Sequence, residues 1–279
     1  MRYYRSPRTG RDRTKILDDD NGRPPKAYEN SDFLHSTAAR PLRILSEYLQ
    51  PQDRFNAAHV RDTIVVFGSA RAPSPEEAER LRADGQNDKA LKLARYYEDA
   101  RELSRRLTDW SKNLGREDRR FVVCTGAGPG IMMAANRGAS EARGLNVGLG
   151  ISLPFEAVAN PYVTRQLSFE FHYFFTRKYW FVYLAKAIVV MPGGFGTMDE
   201  LFEVLTLVQT GKVKKPISVV LYGSEFWDRV VNFDALVEYG VIGADDVNLF
   251  HRSDSVDDAF EYLTSELTRV HLGDSSPTM

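Results

Sequence analysis

The stretch that most constrains the fold lies at residues 189–200, where a short apolar run ends in a proline and two glycines and a helical pattern begins at once. This order predicts a buried strand, a tight turn and the N-terminus of a helix. Glycine allows the backbone to turn sharply and allows a ligand to approach it closely. The unpaired N–H groups and the dipole of the first helical turn favour an anion. We therefore expect a phosphate group to bind at this turn.

The residues of the turn leave a second interpretation open. They do not match a Walker A loop, because no Gly-Lys-Ser/Thr follows the glycines, and the third glycine does not fall where a dinucleotide-binding turn has it. Thr197 and Glu200 have the spacing of a capping box, in which two side chains satisfy backbone groups at the start of a helix. The turn could thus bind a ligand or serve only to join a strand to a helix.

Strand-like and helix-like patterns alternate along most of the chain. Strands are predicted at residues 63–67, 121–124, 146–151, 163–169, 187–191, 217–221 and 247–250. Helices are predicted at residues 89–114, 131–142, 172–185, 197–209, 225–239 and 256–270, with a loop or short helix at 73–88. Strands that alternate with helices imply right-handed crossovers. The pattern therefore predicts an α/β fold with a mostly parallel sheet and helices on both faces.

We expect one domain at residues 61–270 with additions at both ends. Residues 31–60 form a helical extension in this prediction, interrupted near Pro41, and residues 271–279 form a polar tail. Residues 1–30 are polar and carry an excess of basic side chains near their start. A loosely ordered arm, or a strap over a neighbouring subunit, is favoured there over an arm that binds nucleic acid.

Composition argues against several classes of protein. The formal net charge is −1, with 43% hydrophobic and 27% charged residues, so neither nucleic acid nor a membrane surface is expected as a partner. The single cysteine, Cys124, excludes an intrachain disulfide and a cysteine-rich zinc site, and the five histidines show no metal-binding spacing. No apolar run reaches the roughly 18 residues of a membrane-spanning helix, and the first residues lack the apolar core of a signal peptide. We expect a cytoplasmic protein that needs no metal or cofactor.

A second glycine-rich turn, at residues 126–130, also lies between a predicted strand and a predicted helix. Its Gly-x-Gly-x-Gly spacing, and the lack of an acidic residue after the next strand, argue against a nicotinamide dinucleotide. Open α/β sheets bind ligands at the ends of their strands, so a mononucleotide phosphate or sugar fits better. Gly126 and Gly128 are therefore candidate binding residues, as are Gly68 and Ser69 in the small-residue turn after the first strand.

The predicted helix at residues 172–185 is apolar nearly all round, which is typical of a buried helix. Arg177 and Lys178 lie within it, and burying their charges is costly unless anions meet them. Carboxylates of a neighbouring helix would be one kind of partner. We favour the other interpretation, in which both cations line a pocket for an anionic ligand.

These motifs together resemble the LOG ("lonely guy") family, whose members were long labelled "lysine decarboxylase-like". The resemblance rests on residues 192–200, on Arg177 and Lys178, and on residues 126–132, and it covers roughly residues 60–270. It implies a Rossmann-like, doubly wound fold and a homodimer or an assembly of dimers. It also implies hydrolysis of the N-glycosidic bond of a nucleoside 5′-monophosphate, of the AMP or cytokinin riboside 5′-monophosphate type, to free base and ribose 5-phosphate.

The resemblance also implies roles for single residues. Glu200 would act on the ribose and on the attacking water, and Arg177 would be its catalytic partner. Lys178, Glu156 and Thr206 match positions that contact the substrate. The turn for the 5′-phosphate and the helical residues that follow it are Gly193, Gly194, Phe195, Gly196, Thr197, Met198 and Asp199.

A binding protein without catalytic activity is the rival interpretation. Carriers of the molybdenum cofactor share this fold and its glycine-rich turns, and they bind a phosphorylated ligand without hydrolysis. The combination of Arg177 with Glu200 favours the hydrolase. The chain departs from the small plant-type members by its N-terminal extension and by its 126–128 sequence, Gly-Ala-Gly, where a triple glycine is common. The sequence specifies neither the base nor the size of the assembly.

Overall fold

The structure of the chain is a computed structural model that describes residues 23–85, 91–115, 118–152 and 160–273. The chain divides into two compact units, residues 1–48 and 49–279. Most of the predicted arm at residues 1–30 and most of the predicted tail at residues 271–279 lie outside the described residues. None of the helices that the structure describes is long and apolar enough to cross a membrane.

The first unit contains helix α1 (Ser31–Leu34) and the start of helix α2 (Arg40–Ala57). Asn30 caps α1, because its side chain accepts a hydrogen bond from the N–H of Phe33 at 2.9 Å. The predicted interruption falls before Pro41 rather than at it. Pro41 is the second residue of α2, and proline is tolerated in the first turn of a helix.

The second unit is built on a parallel sheet of seven described strands. They are β1 (Thr63–Phe67), β2 (Val122–Thr125), β3 (Asn146–Ile151), β4 (Ser168–Phe171), β5 (Ala185–Val190), β6 (Ser218–Tyr222) and β7 (His251–Ser253). Their order across the sheet is β4-β3-β2-β1-β5-β6-β7, and every pair is parallel. The central strand β1 is an apolar, largely β-branched run that is buried along its whole length, as expected of such a sheet. The predicted α/β fold class is confirmed.

Helices connect the strands of the second unit. After α2 they are α3 (Pro75–Ala83), α4 (Ala94–Lys112), α5 (Ile131–Glu141), α6 (Phe174–Tyr183), α7 (Phe195–Gln209), α8 (Ser224–Val230), α9 (Phe233–Glu238) and α10 (Val256–His271). The single helix predicted at residues 225–239 is wrong, because Asn232 interrupts it and caps α9 by accepting a hydrogen bond from the Ala235 N–H. The strand predicted at residues 247–250 is also misplaced, since a 3₁₀ helix occupies Ala244–Asn248 and β7 follows it.

Helices cover both faces of the sheet. On one face, α4, α5 and α10 pack against the buried side chains of Ile64 and Val66. On the other face, the ring of Phe181 in α6 lies 4.9 Å from the ring of Phe67, centroid to centroid. Successive side chains of a strand point to opposite faces, so β1 contributes to both layers of the core.

The strand order places a crevice between the ends of β1 and β5. The chain crosses from β1 towards β2, whereas it crosses from β5 towards β6, in the opposite direction. The turns after these two strands are joined, because the N–H of Ser69 donates to the carbonyl of Pro192 at 3.0 Å. The carbonyl of Ser69 accepts from the N–H of Ile131 at 3.0 Å, which brings in the turn before α5. Open α/β sheets bind ligands at such a reversal point, so the fold directs attention to these three turns.

Candidate active site

A cavity of about 810 Å³ opens at this reversal point. Its volume lies within the range of about 300–1,000 Å³ that is typical of small-molecule sites. The predicted site residues that line it are Gly68, Ser69, Arg177, Gly193, Gly194, Phe195, Gly196, Thr197, Met198, Asp199 and Glu200. The structure therefore brings two strand-end turns and the helix of Arg177 to one cavity.

The cavity also has lining residues that the sequence analysis did not select. They are Phe67, Ala70, Arg71, Leu93, Met132, Phe174, Phe226 and Val230. The sequence could have revealed Arg71 as a candidate, since it is a cation in the turn after a buried strand. Leu93 lies just before α4, and Phe226 and Val230 belong to α8, so no local pattern connects them with the site. These apolar side chains form a wall that only the folded chain reveals.

The first turn of α7 has the features of an anion site. The helix begins at Phe195 and is preceded by Gly194, without a capping side chain. Its first backbone hydrogen bond runs from the Met198 N–H to the Gly194 carbonyl at 3.0 Å, so helix geometry leaves the preceding N–H groups to a ligand. A Cβ atom on Gly193 would lie 2.1 Å from Oγ1 of Thr197, so the turn has no space for a side chain there.

Thr197 and Glu200 do not form the capping box that their spacing allowed, because α7 begins two residues before Thr197. Glu200 is instead a buried side chain, only 7% exposed. Its Oε2 atom has no hydrogen-bond partner within the part of the chain that the structure describes. A buried polar atom without a partner costs free energy, so this carboxyl group has the character of a functional residue.

Burial also changes the acidity of this group. It raises the pKa of Glu200 to about 7, against the opposite influence of Lys178 and Arg177. The carboxyl group is therefore close to half ionised at neutral pH. Groups that transfer protons or orient water at neutral pH have pKa values in this range.

Arg177 faces the cavity from α6. Its Nε donates a hydrogen bond to the carbonyl of Leu149, at the end of β3, at 2.9 Å. The guanidinium carbon lies 5.1 Å from the centre of the Phe181 ring, a distance at which a cation is attracted to an aromatic face. Both contacts hold the arginine on the wall that also contains Glu200.

Lys178 has a different environment, although it follows Arg177 in sequence. Its Nζ lies 2.8 Å from Asp199 Oδ1 and 2.7 Å from Glu203 Oε2, both in α7. Burial by itself would lower the pKa of Lys178, but the two carboxylates outweigh that effect and raise it. The two interpretations of this helix thus hold for one residue each. Lys178 is paired with carboxylates of a neighbouring helix, whereas Arg177 lines the cavity. Consecutive residues of a helix point about 100° apart, which separates the two cations.

Three further candidates among the described residues do not line the cavity. Thr206 is exposed, and its hydroxyl donates to the carbonyl of Phe202 at 2.7 Å. Gly126 and Gly128 belong to the turn before α5 and are not among the lining residues. Glu156 lies outside the described residues. Within the described ranges, no group of His, Cys, Asp and Glu side chains has an arrangement that could hold a metal ion.

Comparison with known proteins gives matches of partial coverage. The family model described as "Possible lysine decarboxylase" matches residues 132–263. A cytokinin riboside 5′-monophosphate phosphoribohydrolase of Oryza sativa subsp. japonica is 42% identical over 62 residues, which are 22% of this chain and 25% of that protein. A probable enzyme of the same name from the same plant is 32% identical over 80 residues, 29% of this chain and 35% of that protein. The chain thus matches about a quarter to a third of the length of these curated relatives.

Two solved structures cover most of the chain at low identity. The X-ray structure of TM1055, a structural genomics target, is 22% identical with a TM-score of 0.47, and the match covers 73% of this chain and 99% of that one. The molybdenum cofactor carrier protein of Chlamydomonas reinhardtii is 19% identical with a TM-score of 0.45, over 75% of this chain and 99% of that one. Neither likeness assigns a function to this chain.

The raised pKa of Glu200 makes stability depend on pH in a defined direction. The folded-state pKa of about 7 lies above the ordinary value of 4.5, so the folded state favours the protonated form. The associated stability is present below pH 4.5 and is lost as the pH rises through 7. We expect Glu200→Gln, which stays neutral, to be more stable than the parent at pH 8 by up to about 3 kcal/mol, with little difference at pH 4.5.

Chemical denaturation at pH 4.5 and pH 8 measures this difference. The exposed Glu238→Gln is the matched control and should show no such dependence on pH. Equal effects of Glu200→Gln at both pH values would mean that burial does not disfavour the ionised carboxylate.

Proposed function

We propose that this chain, whose resemblance to the LOG family is confirmed by its matches, is a cytoplasmic enzyme that hydrolyses the N-glycosidic bond of nucleoside 5′-monophosphates. The products would be a free base and ribose 5-phosphate. The observation that carries the proposal is the presence in one cavity of a helix N-terminus suited to phosphate, an arginine, and a buried carboxyl group whose Oε2 has no hydrogen-bond partner among the described residues. Each of these meets one chemical demand of the reaction.

The N-terminus of α7 would bind the 5′-phosphate. The residues from Gly193 to Thr197 supply backbone N–H groups and the positive end of a helix dipole. Glu200 follows one turn later on the same helix and also lines the cavity. A ligand anchored by its phosphate would therefore place its ribose near the Glu200 carboxyl group.

Glu200 would act at the ribose. In the reaction a bond forms between the water oxygen and C1′, while the bond between C1′ and the base nitrogen breaks and its electron pair leaves with the base. Positive charge develops on the ribose ring as this bond breaks, so an ionised carboxylate nearby stabilises the transition state. The same carboxylate can orient the water and accept its proton.

Arg177 would act at the departing base. The base gains negative charge as the bond breaks, and a guanidinium group offsets that charge or supports protonation of the base. The apolar wall formed by Leu93, Met132 and Phe226 suits the flat, weakly polar faces of a base. We propose AMP or a cytokinin riboside 5′-monophosphate as the substrate type, a choice supported by the names of the relatives.

The first test is an assay of the purified protein with AMP, GMP, CMP, UMP and an N6-substituted AMP. We expect base and ribose 5-phosphate to appear in equal amounts from at least one of them. Adenosine, which lacks the phosphate, should react far more slowly. Glu200→Gln should lower the rate by about 100-fold or more, since a positioned acid or base contributes roughly 10²–10⁴.

The rival function gives a different outcome in this assay. A carrier of a phosphorylated ligand such as the molybdenum cofactor would bind such ligands without releasing a base. The buried, unpartnered oxygen of Glu200 favours the hydrolase, because a carrier has no use for a carboxyl group that titrates near neutral pH. Tight binding of phosphate ligands with no product from any nucleotide would overturn the hydrolase.

The pH dependence of the reaction should report the ionisation of Glu200. We expect kcat/KM to rise with pH through an apparent pKa near 7, because the ionised form acts at the ribose. Lys178→Met removes a positive charge that favours this ionised form, so the acid limb should move to higher pH by about 1 unit. Lys212→Met, an exposed lysine outside the cavity, is the control. If the apparent pKa of the acid limb is the same in Lys178→Met as in the parent, the ionisation of Glu200 is not its origin.

We also propose that the protein acts as a homodimer. Several aromatic side chains of α6 and α7 are exposed, among them Phe174 at 54%, Phe175 at 58% and Phe202 at 39%. Exposed apolar side chains on neighbouring helices are typical of an interaction surface. Phe174 also lines the cavity, so a second copy on this surface would help to enclose the ligand.

Light scattering tests the dimer. We expect about twice the 31.6 kDa mass of one chain, and Phe175→Glu should reduce the mass to that of one chain. Tyr239→Glu, which changes an exposed aromatic residue beyond α9, should leave the dimer intact. A monomeric parent protein would contradict the proposal.

A further inference from the structure

Two contacts with described residues hold the guanidinium group of Arg177. Its Nε donates to the Leu149 carbonyl at 2.9 Å, and its carbon lies 5.1 Å from the centre of the Phe181 ring. The hydrogen bond fixes one end of the planar group, so the direction of the terminal nitrogens depends on what lies beside them. Arginine is pre-organised by such contacts, because its fork of donors is rigid.

Gly126 lies beside those terminal nitrogens. A Cβ atom built on Gly126 would be 2.6 Å from Nη2 of Arg177 and 2.9 Å from Sδ of Met132. Both distances are far shorter than ordinary contacts between such atoms. The guanidinium group thus occupies the space that any side chain at residue 126 would need.

The backbone at Gly126 does not itself require glycine. Its φ angle is not among the positive values found at six other glycines, such as Gly130 at 65°. Other residues could adopt this conformation without strain. The reason for glycine at this position is therefore the neighbouring arginine and not the turn.

We propose that Gly126 is a positioning residue, whose missing side chain leaves a slot for the guanidinium group of Arg177. Gly126 does not line the cavity, whereas Arg177 does, so the glycine acts on the ligand through the arginine. The proposal rests on the proposed function for its kinetic test. It gives the second glycine-rich turn a role other than the direct binding that its sequence suggested.

A methyl group in the slot would move the arginine without unfolding the chain. Both atoms that it would meet are at the ends of long side chains. Met132 is flexible and can turn away. Nη2 of Arg177 must also move, because 2.6 Å from a methyl carbon is too short, so the terminal nitrogens shift by several tenths of an ångström or more. Misplacement of a catalytic group by about 1 Å can cost roughly 100-fold in rate.

A double-mutant cycle in steady-state assays tests the slot. Gly126→Ala should lower kcat by about 10- to 100-fold with a small change in KM, because the phosphate turn is untouched. In an Arg177→Lys background the slot is no longer filled by a guanidinium group, so the same Gly126→Ala change should cost less than about 3-fold. Equal costs in the two backgrounds would overturn the proposal.

Two control variants separate the slot from general effects of packing. Gly144→Ala inserts a methyl group 2.1 Å from Cγ2 of Thr108, in the connection before β3 and outside the cavity, and should lower thermal stability without changing kcat. Gly126→Ala combined with Met132→Ala removes the clash with sulfur only, and should be as slow relative to Met132→Ala as Gly126→Ala is relative to the parent. Recovery of the rate in that double variant would assign the effect to Met132 and overturn the slot.

The position of Arg177 can also be followed without any reaction. The Nε–H resonance of Arg177 in a ¹⁵N spectrum is identified by its loss in Arg177→Lys. It should shift or broaden in Gly126→Ala and stay unchanged in Gly144→Ala. If the parent protein hydrolyses no nucleotide, the proposed function fails, but this resonance still tests whether Gly126 positions Arg177. An unchanged signal in Gly126→Ala overturns the slot whatever the activity.

Discussion

The hydrogen bonds of Ser69 hold the functional end of this molecule together. Its N–H bonds to the turn after β5 and its carbonyl bonds to the start of α5, so one residue joins three strand-end turns. Gly130 makes this junction possible, because a Cβ atom there would lie 2.3 Å from the Ser69 carbonyl oxygen, and because its φ of 65° with ψ of −129° is a conformation that residues with a side chain disfavour. The cavity exists because these turns meet at one point of the sheet.

The glycines of the site therefore differ in their physical tasks. Gly130 allows two backbones to approach, Gly193 makes room for the side chain of Thr197, and Gly126 makes room for an arginine. A glycine-rich motif is usually regarded as one device that binds a phosphate. Here the turn before α7 leads into a helix without a capping side chain, whereas Gly126 and Gly130 leave space for groups that lie around it.

Burial affects the two charged side chains Lys178 and Glu200 differently. Lys178 meets two carboxylates and links α6 to α7, the helices that carry Arg177 and Glu200. Glu200 is left with an unpartnered oxygen, which raises the free energy of its ionised form. The contacts of Lys178 with two carboxylates thus join the two helices that carry Arg177 and the buried Glu200.

The sequence predicted the parts of the site that depend on local chemistry. The strand, turn and helix at residues 189–200 were predictable because apolar runs and glycines mark them directly. The predicted start of α7 was two residues too late, since Thr197 is a residue type that often caps helices but lies inside this one. The partners of Lys178 depend on how α6 is rotated against α7, and the wall of Leu93 and Phe226 depends on elements far apart in sequence. Neither leaves a local pattern.

The central position of β1 has a consequence for how the chain is made. Its partner on one side is β2, but on the other side it is β5, so Thr63 pairs with Ala185 far along the chain. Synthesis proceeds from the N-terminus, and parallel pairs between distant segments form slowly. A nascent chain that has not yet reached β5 therefore carries an apolar central strand with one open edge, the kind of edge that other chains can join. The strand most thoroughly buried in the finished protein is thus the one with the longest exposure during its synthesis.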